Sequence, residues 1–381
     1  MKKFGIYIHI PFCESKCYYC DFNSFKANDE LINSYMKSLY SEIKLYGNLN
    51  EYNNKKVDTI FIGGGTPSFI DSKFIVKLYE VLKSNFNLKY LDEFTIECNP
   101  NTVNEKKIDD YLSIGINRIS LGLQSTKNKI LKKIGRTHSY EEFLDNFNLI
   151  KSKGLDNISI DLIIGLPEQT LEDVKNDIKK IVSIEPKHIS VYSLKLEKGT
   201  KLYNMDEKDL LILPSEEIER EMYHYIVEYL KENGYYQYEI SNFAKVNYES
   251  KHNLLYWERD EYLGLGLSSS SLVNEKRFNN VSNIEVYKKN IEKGIISVEN
   301  EEYINKEESL YEKIILGLRL NKGIDIVSIN EEFGIDFKVK YFDKIETLKK
   351  KQLIIHENNK IYLTKLGIDI SNQVFVEFIP E

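Results

Sequence analysis

The chain has 381 residues, 42% of them hydrophobic and 29% charged, with a formal net charge of −7. That length allows one large domain and one or two small ones, and the composition is that of an ordinary globular protein. The acidic balance argues against nucleic acid as the main partner, and no run reaches the roughly 18 apolar residues of a membrane span. The apolar stretch before Pro11 is too short for a secretory signal. The expectation is a cytoplasmic protein with reduced thiols that touches a membrane at most peripherally.

In chain order, strand-like β-branched runs occur at Gly5–Ile10, Val57–Gly63, Glu93–Glu97, Arg118–Gly122, Asn157–Ile164 and His188–Leu194. Helical periodicity occupies about 29–46, 72–86, 104–114, 139–153 and 170–184, with polar entries such as Asp71-Ser72 and Asn104-Glu105. This alternation predicts repeated βα units on a parallel sheet. Six units are two short of a closed eightfold barrel, so a partial (β/α)6 TIM-type barrel is expected over 1–196. Polar or glycine residues stand where the strands end: Gly63-Gly64-Gly65-Thr66-Pro67, Glu97-Cys98-Asn99-Pro100, Gln124-Ser125, and Asp161 ahead of Gly165-Leu166-Pro167. Barrel sites are built at those ends.

After residue 196 the repeat stops. The stretch 197–304 is expected to extend the barrel, with a helix at about 215–233 and an aromatic strand from Gly234. The glycine- and serine-rich Leu263–Ser271 reads as a packed, close-approach loop. Residues 305–381 read as a small α+β unit of winged-helix outline: helices at 307–320, 325–333 and 338–351, then strands at 353–356 and 360–363. Its acidic residues outnumber its basic ones, which disfavours DNA and leaves docking or a lid.

Three of the four cysteines lie within eight residues, as Cys13, Cys17 and Cys20. Thiolates select zinc, copper(I) or iron–sulfur clusters. Three on one loop can hold three irons of a four-iron cluster and leave the fourth open. The alternative is a zinc knuckle completed by Cys98 or His9, although structural zinc sites usually pair two C-x2-C knuckles. Cys98 otherwise reads as a small buried residue. The glycine triplet removes side chains so that backbone groups can approach a ligand. It is not a phosphate loop, because no Gly-Lys-Ser/Thr follows.

The cysteine spacing resembles the signature of the radical S-adenosylmethionine (SAM) superfamily. Within it the chain is similar to the coproporphyrinogen-oxidase-like branch. The matching pieces are Tyr7-Ile-His-Ile-Pro-Phe-Cys13, Gly63-Gly-Gly-Thr-Pro67, Glu97-Cys-Asn-Pro, Gly122-Leu-Gln-Ser, Gly135-Arg136-Thr-His138 and Asp161-Leu-Ile-Ile-Gly-Leu-Pro167. That branch holds oxygen-independent coproporphyrinogen III oxidases, which decarboxylate their substrate with a 5′-deoxyadenosyl radical, and bacterial heme chaperones. Three features align this chain with the chaperones. Phe22 stands where the oxidases have a fourth cysteine, no long arm precedes the first strand, and His252-Asn-Leu-Leu-Tyr256-Trp257 matches a heme-associated signature of the chaperones.

The resemblance implies a 4Fe-4S cluster on Cys13, Cys17 and Cys20, with SAM on the open iron. It implies Tyr7 and Tyr19 beside the cluster, and Gly64, Gly65 and Thr66 against the methionyl end of SAM. Glu97, Gln124, Arg136 and Asp161 would line the SAM pocket, and His252 would contact heme. The partners implied are heme, recipient hemoproteins and an electron donor for the cluster. Oxidase activity is expected to be absent, and SAM cleavage is left open.

Overall fold

The computed structural model describes residues 2–379. Strand β1 (Phe4–Ile10) leads through the cysteine loop into α1 (Asp29–Gly47) and the short α2 (Asn50–Asn53). There follow β2 (Thr59–Gly64), α3 (Ser72–Asn85), β3 (Glu93–Cys98), α4 (Glu105–Ser113), β4 (Arg118–Gln124), α5 (Asn128–Lys133) and α6 (Tyr140–Ser152). The repeat ends with β5 (Ile158–Ile164), α7 (Leu171–Ser183) and β6 (His188–Ser193). The six strands pair in sequence and in parallel. Each long helix starts at a residue whose side chain accepts a backbone N–H: Asn28, Asp71, Asn104, Ser139 and Thr170. The last two form capping boxes with Glu142 and Asp173.

Outward-pointing side chains such as Ile6, Ile8, Ile60, Ile62, Ile119, Leu121, Ile158 and Ile160 are fully buried in one apolar core. The inward face is polar: Thr59, Thr95, Arg118, Ser120, Ser159, His188 and Ser190 are buried on alternate positions. Neighbouring strands are about 4.8 Å apart. Residues from the ends of β2, β3, β4, β5 and β6 nevertheless line one cavity. The sheet must therefore bend around that cavity. It does not close, because β1 and β6 each pair onward with other strands.

The continuation consists of α8 (Lys201–Asp206), α9 (Glu216–Glu232), β7 (Tyr236–Glu239), β8 (Asn242–Ala244) and α10 (Lys251–Trp257). Then come β9 (Glu261–Leu265), β10 (Ser270–Val273), β11 (Lys276–Asn280), α11 (Ile284–Glu292) and β12 (Val298–Tyr303). β8 pairs antiparallel with β6, and β9 pairs parallel with β1, which gives the twelve-strand order β12-β11-β10-β9-β1-β2-β3-β4-β5-β6-β8-β7. The expected loop at 263–271 is thus largely two strands, with only the turn between them irregular.

The carboxyl-terminal unit has its own core, from Leu310 to Phe378. It contains α12 (Lys306–Leu318), β13 (Ile324–Asp325), α13 (Ile326–Phe333), α14 (Phe337–Lys340) and α15 (Phe342–Lys350). β14 (Ile354–Glu357), β15 (Lys360–Leu363), α16 (Lys365–Asp369) and α17 (Ser371–Val376) complete it. β13, β15 and β14 form a small antiparallel sheet. The helix expected over 338–351 is broken at Tyr341.

A buried ionic knot fastens this unit. Arg259, 1% exposed at its side chain, donates Nη1 and Nη2 to Glu275 at 3.1 and 2.7 Å and Nε to Glu312 on α12 at 2.8 Å. Arg277 reaches the other Glu312 oxygen at 2.8 Å. Burial alone would raise the Glu275 carboxyl, but Arg259 and Lys2 outweigh it and hold it at about 2. Removing one partner of such a pair strands the others. Arg259→Ala is expected to lower stability by about 3 kcal/mol, the low end for a broken buried pair because Glu275 is partly exposed. It should also expose the connection ahead of α12 to protease. An unchanged melt with unchanged proteolysis would show that the knot does not hold the unit.

Candidate functional site

The cysteine loop leaves β1 at Pro11 and is closed by two backbone bonds, Phe25 N–H to Pro11 O at 2.9 Å and Cys13 N–H to Phe25 O at 3.1 Å. Its far side is tied to the end of α5 by Tyr18 N–H to Ile134 O at 2.9 Å, and to α8 by Leu202 N–H to Tyr18 O at 2.8 Å. The Lys201 ammonium sits 3.5 Å from the Tyr18 ring centroid. On the near side, Gly65 N–H and Thr66 N–H donate to Ile10 O and Phe12 O. A Cβ on Gly65 would fall 2.8 Å from Phe12 O and 2.9 Å from the Cys13 thiol. Gly64 has φ +118°, and a Cβ there would strike the His9 ring. The glycines thus make room for the cysteine loop and His9 as well as for a ligand.

Cys13 is buried and Cys17 and Cys20 are half-buried at one end of a cavity of about 410 Å³. The same cavity is lined by Tyr19, Gly64, Gly65, Thr66, Glu97, Gln124, Arg136 and Asp161. Eleven of the thirteen residues singled out from the sequence therefore meet in one place. Asn99, Ser120 and Tyr192 line it too and were not singled out. Asn99 lies in the same strand-end turn as Glu97, and Ser120 lies two residues before Gly122, on one face of β4. Those positions were the available signals.

The polar side chains hold one another. Arg136 donates Nη2 to Asn99 Oδ1 at 2.7 Å and to Gly122 O at 2.6 Å, and its Nη1 lies 3.6 Å from the Cys17 sulfur. Asn99 Nδ2 donates to Thr66 Oγ1 at 2.8 Å, and that hydroxyl lies 3.4 Å from the Cys13 sulfur. Glu97 Oε2 accepts from Gly64 N–H at 3.0 Å, and Asp161 Oδ2 accepts from Ser120 Oγ at 3.1 Å. Gln124 takes φ +72° at the point where the β4–β5 register shifts, a conformation that costs about 1 kcal/mol or more outside glycine. Strain of that kind collects at functional sites.

Two expected residues lie elsewhere. Tyr7 is below the cavity lining, with its hydroxyl 3.1 Å from His9 Nδ1 and its ring stacked on Phe61. His252 is 1% exposed and stands at the opposite end of the barrel, against the first residue of β2. Its Nδ1 is 2.7 Å from Thr59 Oγ1 and its Nε2 is 2.8 Å from Tyr256 Oη. Burial, then the Arg118 charge, hold its pKa down at about 3. The sequence expects an available histidine; in this arrangement both ring nitrogens are engaged. Glu93, at the start of β3, accepts both Lys251 N–H and His252 N–H, which seats α10 across the barrel floor.

Among the described residues, no three His, Cys, Asp or Glu side chains converge on a single-ion position. Cys98 packs in the core, its thiol pushed up to about 12 by burial, and His9 bonds Tyr7 Oη and Asn23 O. Neither completes a zinc site with the triplet. A four-iron cluster places each thiolate on a separate iron, which suits three cysteines spread along one cavity wall. The neighbouring Thr66, Ser24 and Arg136 are hydrogen-bond donors of the kind that tune such clusters. The triplet and the polar strand ends therefore fit a cluster with SAM beside it.

Burial, then the Asp161 charge, push the Glu97 carboxyl up to about 8. Its folded pKa lies above the unfolded value, so its contribution to stability is full below about 4.3 and is lost as pH rises through about 8. Glu97→Gln keeps the acceptor for Gly64 N–H without the charge. Thermal melts from about pH 6 to about pH 9 should fall less steeply for this variant than for the parent. Equal slopes would remove Glu97 as a source of that dependence.

The chain matches the radical SAM superfamily over residues 7–181 and the HemN C-terminal domain over residues 304–370. It is 37% identical to the heme chaperone HemW of Lactococcus lactis subsp. lactis over 380 residues, covering 99% of this chain and 98% of that one. HemW of Bacillus subtilis is 36% identical, with 98% of this chain and 99% of that one covered. Among solved structures, the coproporphyrinogen III oxidase HemN of Escherichia coli superposes with a TM-score of 0.86, covering 99% of this chain and 90% of that one. Its identity is 21%, so that likeness carries the fold alone. From its cysteine loop to its carboxyl-terminal unit, the chain belongs to the radical SAM superfamily and, within it, to the family of the heme chaperone HemW.

Proposed function

We propose that this protein is a heme chaperone, which binds heme and passes it to recipient hemoproteins. The observation that carries this reading is the end-to-end likeness to proteins named heme chaperones. Cys13, Cys17 and Cys20 would hold the 4Fe-4S cluster. Gly64, Gly65 and Thr66 would bear on the methionyl end of SAM, with Glu97, Gln124, Arg136 and Asp161 around the rest of it. When bound, the cluster supplies single electrons to SAM. The chain's own part is to orient and shield: Arg136 offers a fixed guanidinium for a carboxylate, Glu97 and Asp161 accept from hydroxyl or ammonium groups, and Tyr19 keeps water from the thiolate face. Tyr7 supports His9 and Phe61 beneath.

An electron donor would approach the open mouth, where Phe22 is 62% exposed at the position that carries a cysteine in the oxidases. No helix among the described residues is long and apolar enough to cross a membrane, and the reading places the protein in the cytoplasm with at most peripheral membrane contact. His252 enters as a heme ligand only if α10 releases it from Thr59 and Tyr256.

Anaerobic reconstitution should yield about four irons and four sulfides per chain. Cys13→Ala, Cys17→Ala or Cys20→Ala should each abolish this, and Cys98→Ala should not. Stoichiometric zinc in place of iron would refute the cluster.

SAM should perturb the EPR spectrum of the reduced cluster, with the effect weakened in Asp161→Ala and Arg136→Ala. Given hemin and coproporphyrinogen III separately, the reconstituted protein should bind the first saturably and leave the second unconverted. Robust conversion with no heme binding would replace the chaperone by the oxidase.

A further inference from the structure

Asn99 is clamped on both sides of its backbone. Its N–H donates to Ser68 Oγ at 3.1 Å, its carbonyl oxygen accepts from Thr102 Oγ1 at 2.7 Å, and those two hydroxyls lie 2.5 Å apart. The side chain therefore leaves a fixed point in the turn after β3 and reaches between Thr66 and Arg136. Chemistry decides which end of the amide faces which neighbour. A guanidinium has donors only, so the amide oxygen faces Arg136 Nη2, 2.7 Å away, and the Nδ2 group faces Thr66 Oγ1, 2.8 Å away.

That orientation sets the Thr66 hydroxyl. Thr66 is buried, and its oxygen has two side-chain neighbours within bonding distance, Asn99 Nδ2 and, 3.4 Å away, the Cys13 sulfur. A hydroxyl that accepts from the amide has the sulfur left as the target for its own hydrogen. A carboxylate in place of the amide would attract the same hydrogen and turn it away from Cys13. The other end of the amide acts toward a second thiol. By holding Nη2 of Arg136, together with Gly122 O at 2.6 Å, it leaves Nη1 3.6 Å from the Cys17 sulfur. One neutral side chain thus sets the donors that face two cysteines.

We propose that Asn99 is a positioning residue which, through Thr66 and Arg136, aims hydrogen-bond donors at the Cys13 and Cys17 thiolates and so raises the reduction potential of the cluster they hold. This rests on the 4Fe-4S reading of the cysteine triplet. Donors toward a thiolate offset the negative charge that reduction adds, and hydrogen bonds to the sulfurs are among the factors that set such potentials. The amide's polarity matters here more than its shape, because aspartate fills the same space with the opposite effect on Thr66.

The test compares the full-length parent with Asn99→Asp and Thr66→Val, each reconstituted anaerobically without SAM. Asn99→Asp keeps a partner for Arg136 but draws the Thr66 hydrogen to itself, and Thr66→Val removes that hydrogen. ENDOR spectra of the reduced cluster, recorded in H2O and D2O, should show an exchangeable proton coupling in the parent that both variants lack. At a fixed potential, the ratio of reduced to oxidised cluster should be about tenfold lower in each variant, a shift of about 59 mV for one electron. Because aspartate also adds charge, Asn99→Asp is repeated in the Thr66→Val background, where its effect should be the smaller; an equal effect in both would overturn the route through Thr66. Variants that load iron fully and keep the parental potential and couplings would overturn the role of Asn99 and leave the cluster standing. Failure of the parent to take up iron would remove the cluster reading and this inference with it. Should Asn99→Asp not load iron, the parent and Thr66→Val still decide, because identical exchangeable couplings in those two would overturn the proposal.

Discussion

The cysteine loop reaches the barrel mouth because residue 65 has no side chain. A single Cβ there would collide with both the Phe12 carbonyl and the Cys13 sulfur, neither of which can retreat while Gly65 N–H and Thr66 N–H bond the same stretch of backbone. Close approach of the two loops brings Thr66 Oγ1 within reach of the thiol, and through Asn99 that hydroxyl is linked to Arg136 and so to Cys17. The three cysteines are contributed by one segment, yet their environment is assembled from the ends of β2, β3 and β4.

The inward face of the barrel departs from the usual layers of branched aliphatic side chains. Arg118, Glu93, His188 and Glu97 are ionisable groups in the interior: Glu93 accepts two backbone N–H groups of α10, Glu97 that of Gly64, and His188 lies between the Ser159 and Tyr238 hydroxyls. The apolar work is done outside, where the strands meet the helices in the main core. Such an interior is costly to bury, and of these four groups only Glu97 faces the cavity.

The repeat of six strands and five helices was legible because each strand is a short β-branched run and each helix has a capped, periodic start. The strand-end residues of the cavity were legible for the same reason. β9 was not, because its partner β1 lies some 250 residues away and nothing in Glu261–Leu265 announces a parallel neighbour. Glu42 shows the same limit. It lies on α1 but is wholly buried, accepting from Gly266 N–H, Asn280 Nδ2 and Tyr287 Oη, all more than 220 positions distant. His252 shows the converse limit. Its neighbours in sequence suggest an open aromatic site, whereas its neighbours in space, Thr59, Phe61 and Glu93, close over it.

The seating of α10 gives the barrel a mechanical property. The helix is gripped at Thr59 and Glu93, the first residues of β2 and β3, and those two strands end five residues later at Gly64 and Cys98, beside the thiols and Glu97. A strand of six residues is a stiff rod of about 20 Å. Two such rods, side by side and hydrogen-bonded, connect the helix on the floor to the walls of the mouth. The seven-residue helix itself spans only about 10 Å, so the indole at its far end and the imidazole at its near end ride on one short element that those two strands connect to the walls around the cysteine loop.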